Sequence, residues 1–89
     1  MQTRNVIIVN KLGLHARAAA KFVTLASSFA SDVHLSKNGH TINGKSIMGV
    51  MMLAASKGTE LELRVEGQDE DSALEQLSGL IAERFGEDE

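Results

Sequence analysis

The sequence predicts an α+β fold: an open-faced two-layer sandwich in which an antiparallel four-stranded sheet carries three helices on one face, in the order βαββαβα. Three observations carry this. Asn38-Gly39 sits between two short strand-like segments and is the strongest short-range hairpin signal. Thr59 to Glu66 alternates apolar and charged residues, so that one face of its strand is wet and the helices must lie on the other. The segment from Ala16 and the one that Gly67 and Asp69 lead into space their apolar residues as helices do. At 89 residues the chain is read as a single domain, 1-89.

Val6 to Val9 is a run of β-branched residues, the pattern of a strand covered on at least one face. Lys11 to Leu14 forms a loop around Gly13. A helix follows from Ala16, with Ala19, Phe22, Val23, Ala26 and Phe29 on its apolar side, fading through Ser27, Ser28 and Ser31-Asp32. A two-residue turn at Asn38-Gly39 pairs Lys37 with His40 and Leu35 with Ile42. Period-2 alternation then places Val33, Leu35 and Ile42 on one face, with His34 and Asn43 on the other. Ser46 to Ala55 reads as a short helix that is apolar almost all round, and Leu61, Leu63 and Val65 point inward from the last strand. In the final helix Leu74, Leu77, Ile81 and Phe85 make one stripe, and Glu87-Asp88-Glu89 is expected to fray.

Composition narrows the chemistry. The chain has no Cys, so disulfides, thiolate catalysis and cysteine–zinc sites are excluded. No apolar stretch approaches the ~20 residues of a bilayer span, and the start Met1-Gln2-Thr3-Arg4-Asn5 has no secretory pattern, which points to the cytoplasm. A net charge of −3 with no Trp or Tyr gives neither a basic surface nor an aromatic platform for nucleic acid. So short a chain has little left for a deep substrate cleft, and its chemistry should lie at the surface.

Gly39-His40-Thr41-Ile42-Asn43-Gly44-Lys45-Ser46 matches the phosphate-loop pattern G-x-x-x-x-G-K-S, but its context contradicts nucleotide binding. Its middle residues are the second arm of a hairpin, with backbone N–H groups engaged there and Ile42 in the core. His34 and His40 fall on opposite faces of that hairpin, so no shared metal is expected from them. No cofactor is expected either.

His15 is the candidate for chemistry. It stands where the Gly13 loop meets the first helix, so the unpaired N–H groups of Ala16 and Arg17 converge beside it. Those donors and the helix dipole form an anion site, and Arg17 adds a guanidinium matched to phosphate. The positive helix end disfavours imidazolium, and neutral imidazole is the nucleophile. A nucleophile beside a phosphate cradle is what reversible phosphoryl transfer requires. Taken alone, the same residues also fit a His15 that merely caps the helix and a solvated Arg17.

Lys11-Leu12-Gly13-Leu14-His15-Ala16-Arg17-Ala18-Ala19 resembles the active-site segment of the HPr family, histidine-containing phosphocarriers of the bacterial phosphoenolpyruvate-dependent phosphotransferase system. The likeness continues through Asn43-Gly44-Lys45-Ser46-Ile47-Met48, Lys57-Gly58-Thr59 and Glu66-Gly67. It implies that His15 accepts a phosphoryl group from phospho-enzyme I, on Nδ1 in the family, and passes it to enzyme IIA-type acceptors while Arg17 steadies the phosphate. The chain would then be a protein substrate of its partners and not an enzyme. It also implies regulatory phosphorylation of Ser46 by an ATP-dependent HPr kinase/phosphorylase. One departure stands out: Ala18 replaces the family's usual Pro, which should alter local geometry slightly and leave function intact.

Ser46 also reads as a plain N-cap, and the two roles are compatible because a phosphate is welcome at a helix start. If Val50 and Leu53 are core, then Ile47, Met48 and Met51 are exposed, and an adaptable methionine patch suits a carrier with several partners. With Ala20 and Lys45, this patch is the expected partner surface. Its alternative is a loosely packed core. Transient contacts and a monomer are expected. The rivals to a carrier are a purely regulatory docking protein on the same scaffold and a small nucleotide-binding protein using Gly39 to Ser46.

Overall fold

A computed structural model describes residues Met1 to Glu89. Strands β1 (Gln2–Ile7), β2 (Asp32–Lys37), β3 (His40–Asn43) and β4 (Glu60–Glu66) form one sheet in the order β1-β4-β2-β3, every neighbouring pair antiparallel. Helices α1 (Ala16–Ser27), α2 (Ile47–Met52) and α3 (Glu70–Ala82) complete the order βαββαβα. The hairpin has the expected register, with Lys37 opposite His40 and Leu35 opposite Ile42. Asn38 and Gly39 both take positive φ, the geometry a primed two-residue turn demands.

One core of 20 buried apolar residues draws on every helix and on β1, β2 and β4. Val33 and Leu35 from β2 and Leu61, Leu63 and Val65 from β4 meet Ala18, Ala19, Phe22 and Ala26 of α1 and Leu74, Leu77 and Ile81 of α3. The four buried residues of α1 lie on one stripe, which is why a helix with three alanines in succession at 18 to 20 packs closely onto the sheet.

Four local expectations need correction. The first strand begins at Gln2 and ends at Ile7, because its pairing is set by β4 rather than by its most apolar stretch; Ile7 and Val9 are exposed. The second helix stops at Met52, since Ala54 takes φ +50 and turns the chain before the Ala55 expected to close it. Phe85 is buried, but outside α3: the helix ends at Ala82, and Arg84 and Phe85 adopt φ +59 and +55 in a separate turn, Arg84–Gly86. That turn swings the C-terminus back across the molecule, so the tail expected to fray is fastened. Lys21 Nζ donates to Phe85 O at 2.7 Å and Lys11 N–H to Glu89 O at 2.5 Å.

The Gly39–Ser46 segment holds no phosphate cradle. Residues 40 to 43 are strand, Gly44 N–H donates to Val33 O at 2.7 Å, and Ser46 N–H to Asn43 O at 3.1 Å. No helix is long and apolar enough to cross a membrane.

Candidate functional site

The site begins with Gly13. Its φ of +67 is one that side-chain-bearing residues resist, and a Cβ there would stand 2.5 Å from Ala55 O. This close approach lets Leu14 N–H donate to Ala55 O at 2.9 Å, which docks the loop and delivers His15 to the helix start. His15 is extended, φ −71 and ψ 177, and its carbonyl accepts the first helical hydrogen bond from Ala19 N–H at 2.8 Å. The amides of Ala16, Arg17 and Ala18 precede that bond and have no acceptor within the chain.

His15 occupies the N-cap position of α1, but its side chain makes no cap bond. Its ring is 28% exposed and is engaged through Nε2 with the carboxylate of Glu87. Glu87 Oε1 in turn accepts from Asn10 Nδ2 at 2.9 Å, and the same Nδ2 donates to Gly13 O at 2.8 Å. Asn10 is fully buried. Arg17 is exposed and makes neither an ion pair nor a hydrogen bond; it shares with Lys11, His15 and Lys21 an open cleft whose other wall is Glu87, Asp88 and Glu89. The Asn10 amide, then the His15 ring, hold the Glu87 carboxyl below the usual carboxylate range, with the Arg17 charge a lesser influence. The site is therefore a half-open imidazole between a wall of cations and an anionic tail.

The other candidate residues fall as follows. Ser46 N-caps α2, its Oγ accepting from Gly49 N–H at 3.2 Å. Val50 and Leu53 are buried, while Ile47, Met48 and Met51 are exposed, Met48 at 70%. Met52 is exposed too, at 78%, and belongs to the same surface although the sequence reading left it out. Ala20 and Lys45 are half-buried, and Lys45 Nζ donates to Phe29 O at 2.8 Å. Asn10 and Glu87 were missed. Asn10 carries no motif, and Glu87 lies 72 residues from His15 in the chain, so only the returning tail unites them.

The family model described as the PTS HPr component phosphorylation site matches residues 2–83. The phosphocarrier protein HPr of Cupriavidus necator is 54% identical over 89 residues, all of both chains. A solved HPr of Thermoanaerobacter tengcongensis superposes with a TM-score of 0.96 at 45% identity, covering 100% of each chain. A dimeric HPr structure from the same organism matches at a TM-score of 0.79 and 46% identity, over 98% of this chain and 100% of that one. Likeness over the full length, in sequence and in fold alike, settles the kinship: the chain belongs to the HPr family, the phosphocarrier proteins of the phosphotransferase system.

Proposed function

We propose that His15 accepts a phosphoryl group from phospho-enzyme I and yields it to enzyme IIA-type acceptors, the whole of 1-89 acting as one carrier domain. The observation that carries this is the half-open His15 imidazole at a helix start whose first amides are free, with the unpaired Arg17 in the same cleft. The amides of Ala16 and Arg17 and the Arg17 guanidinium hold the phosphate. The chain is then a substrate of each partner in turn, and its partners supply the catalysis. It works in the cytoplasm as a monomer, an assembly that leaves the cleft free for successive partners. Ile47, Met48 and Met51 supply the apolar part of the docking surface, with Ala20 and Lys45 at its edge. Phosphate on Ser46 sits at the start of α2 and adds charge beside that surface. An HPr kinase/phosphorylase is the partner for that step.

The test is incubation with enzyme I and phosphoenolpyruvate. The expected result is a gain of one phosphate that survives base, is lost in acid, and is absent in His15→Ala. No gain in the unaltered chain would leave the docking-protein reading instead, and gain in His15→Ala would mean the acceptor is another residue. Amide shifts on titration with enzyme I should concentrate on Ala20, Lys45, Ile47, Met48 and Met51. Acid-stable phosphate after treatment with the kinase and ATP should map to Ser46, and sedimentation reads the monomer.

A further inference from the structure

We propose that Glu87 is a positioning residue for phosphoryl acceptance: its carboxylate, aimed by the buried Asn10, accepts a hydrogen bond from His15 Nε2–H and leaves Nδ1 as the attacking nitrogen. This rests on the carrier reading above and names the group that orients its nucleophile.

An ionised carboxylate can only accept hydrogen bonds, and a neutral imidazole has one N–H to give. A ring engaged with Glu87 through Nε2 therefore carries its hydrogen there, and the lone pair is on Nδ1. The carboxylate is not free to wander. Asn10 Nδ2 bridges Gly13 O and Glu87 Oε1 at 2.8 and 2.9 Å, coupling the tail to the loop that sets His15. Lys21 on Phe85 O and Lys11 N–H on Glu89 O fasten the chain on either side. Asn10 is fully buried, yet its Oδ1 has no partner. A buried acceptor left unpaired calls for a reason, and aiming the amide nitrogen at Glu87 is one.

In the step itself, the Nδ1 lone pair attacks phosphorus. The N–P bond forms, the bond from phosphorus to the donor's leaving atom breaks, and that electron pair departs with the leaving atom. Nε2 keeps its hydrogen, so the ring becomes positively charged, and the Glu87 carboxylate stands against that charge. Onward transfer reverses each change. A buried carboxylate orients and stabilises the histidine of a serine-protease triad in the same way.

Potassium phosphoramidate, a small phosphoryl donor that needs no docking surface, separates this role from partner binding. The full-length chain is loaded with it, and phosphorus NMR reads which ring nitrogen carries phosphate. The unaltered chain should load on Nδ1. Glu87→Ala should load about tenfold more slowly or worse, the consequence of losing one charged hydrogen bond, with some of the phosphate now on Nε2. Glu87→Gln, which keeps an acceptor without the charge, should retain the Nδ1 isomer and lose rate. Unchanged rate and isomer in Glu87→Ala would overturn the proposal, as would faster loading, which would make the tail a cover. Enzyme I with phosphoenolpyruvate supplies the second arm. If the unaltered chain takes no phosphate from it, the carrier reading falls and this inference with it. If the unaltered chain loads and Glu87→Ala loads equally well from both donors, only the role of Glu87 falls.

Discussion

Gly13 decides where His15 stands. Its φ of +67 and the 2.5 Å approach of a notional Cβ to Ala55 O leave no room for a side chain. Gly13→Ala should therefore cost about 2 kcal/mol or more, from left-handed strain and a clash against backbone that cannot rotate away. A denaturant midpoint measures the loss; an unchanged midpoint would mean that the loop relaxes freely. The same substitution should slow the phosphate acceptance proposed for His15, because Leu14 N–H holds the loop on Ala55 O and any shift reaches the ring next door. Position 18 behaves differently. Ala18 is fully buried and its N–H has no acceptor in the chain, so the family's usual Pro would forfeit no hydrogen bond there.

At the scale of the element, α2 is the instructive case. Its six residues are too few to be stable by propensity, so cap and anchor carry it. Ser46 Oγ accepts from Gly49 N–H, and Val50 and Leu53 pin the inner face. Ser46→Ala should cost ~1 kcal/mol, a fall in Tm of about 4–8 °C for a domain of this size. Ser46→Asp should recover most of that loss, because a carboxylate caps equally well; calorimetry on both variants checks it. A Ser46→Asp no more stable than Ser46→Ala would show that the cap is not the source. The outward face is left to Ile47, Met48, Met51 and Met52, an apolar surface on a helix that the core does not need.

Across the whole molecule, single polar residues join distant stretches. Asp69, at the start of α3, accepts from Ala30 N–H and Ser31 N–H, both at 2.9 Å, and from the Ser31 hydroxyl. The Ser31 hydroxyl foremost, with the Ala30 amide next, holds the Asp69 carboxyl below its ordinary value. A carboxyl that titrates lower when folded favours the folded state while it is ionised. That contribution is fully present above the ordinary carboxylate range and is lost as pH falls through the depressed folded value. Thermal melts across that acid range should show the loss, and Asp69→Asn should show a smaller one. Glu70 and Glu87, also held low, account for the part that remains. Identical acid slopes in the two proteins would show that Asp69 has no part in it.

Much of this was legible in the chain. Asn38-Gly39 fixed a hairpin and its register, because only such a pair accepts two successive positive φ values cheaply. Leu61, Leu63 and Val65 declared a half-wet strand, and the change of pattern after Gly13 declared a helix start at Ala16, since both are local consequences of backbone geometry. What tertiary structure alone decided is non-local. β4 enters between β1 and β2, a choice made by core packing between segments far apart in sequence. Phe85 leaves its helix for the interior through a strained turn, and the tail returns with it to set Glu87 against His15. Hydrophobic periodicity describes one helix or strand at a time. The burial of Phe85 and the amide of Asn10 act on the closed molecule, so the partner of the central imidazole is absent from any local pattern.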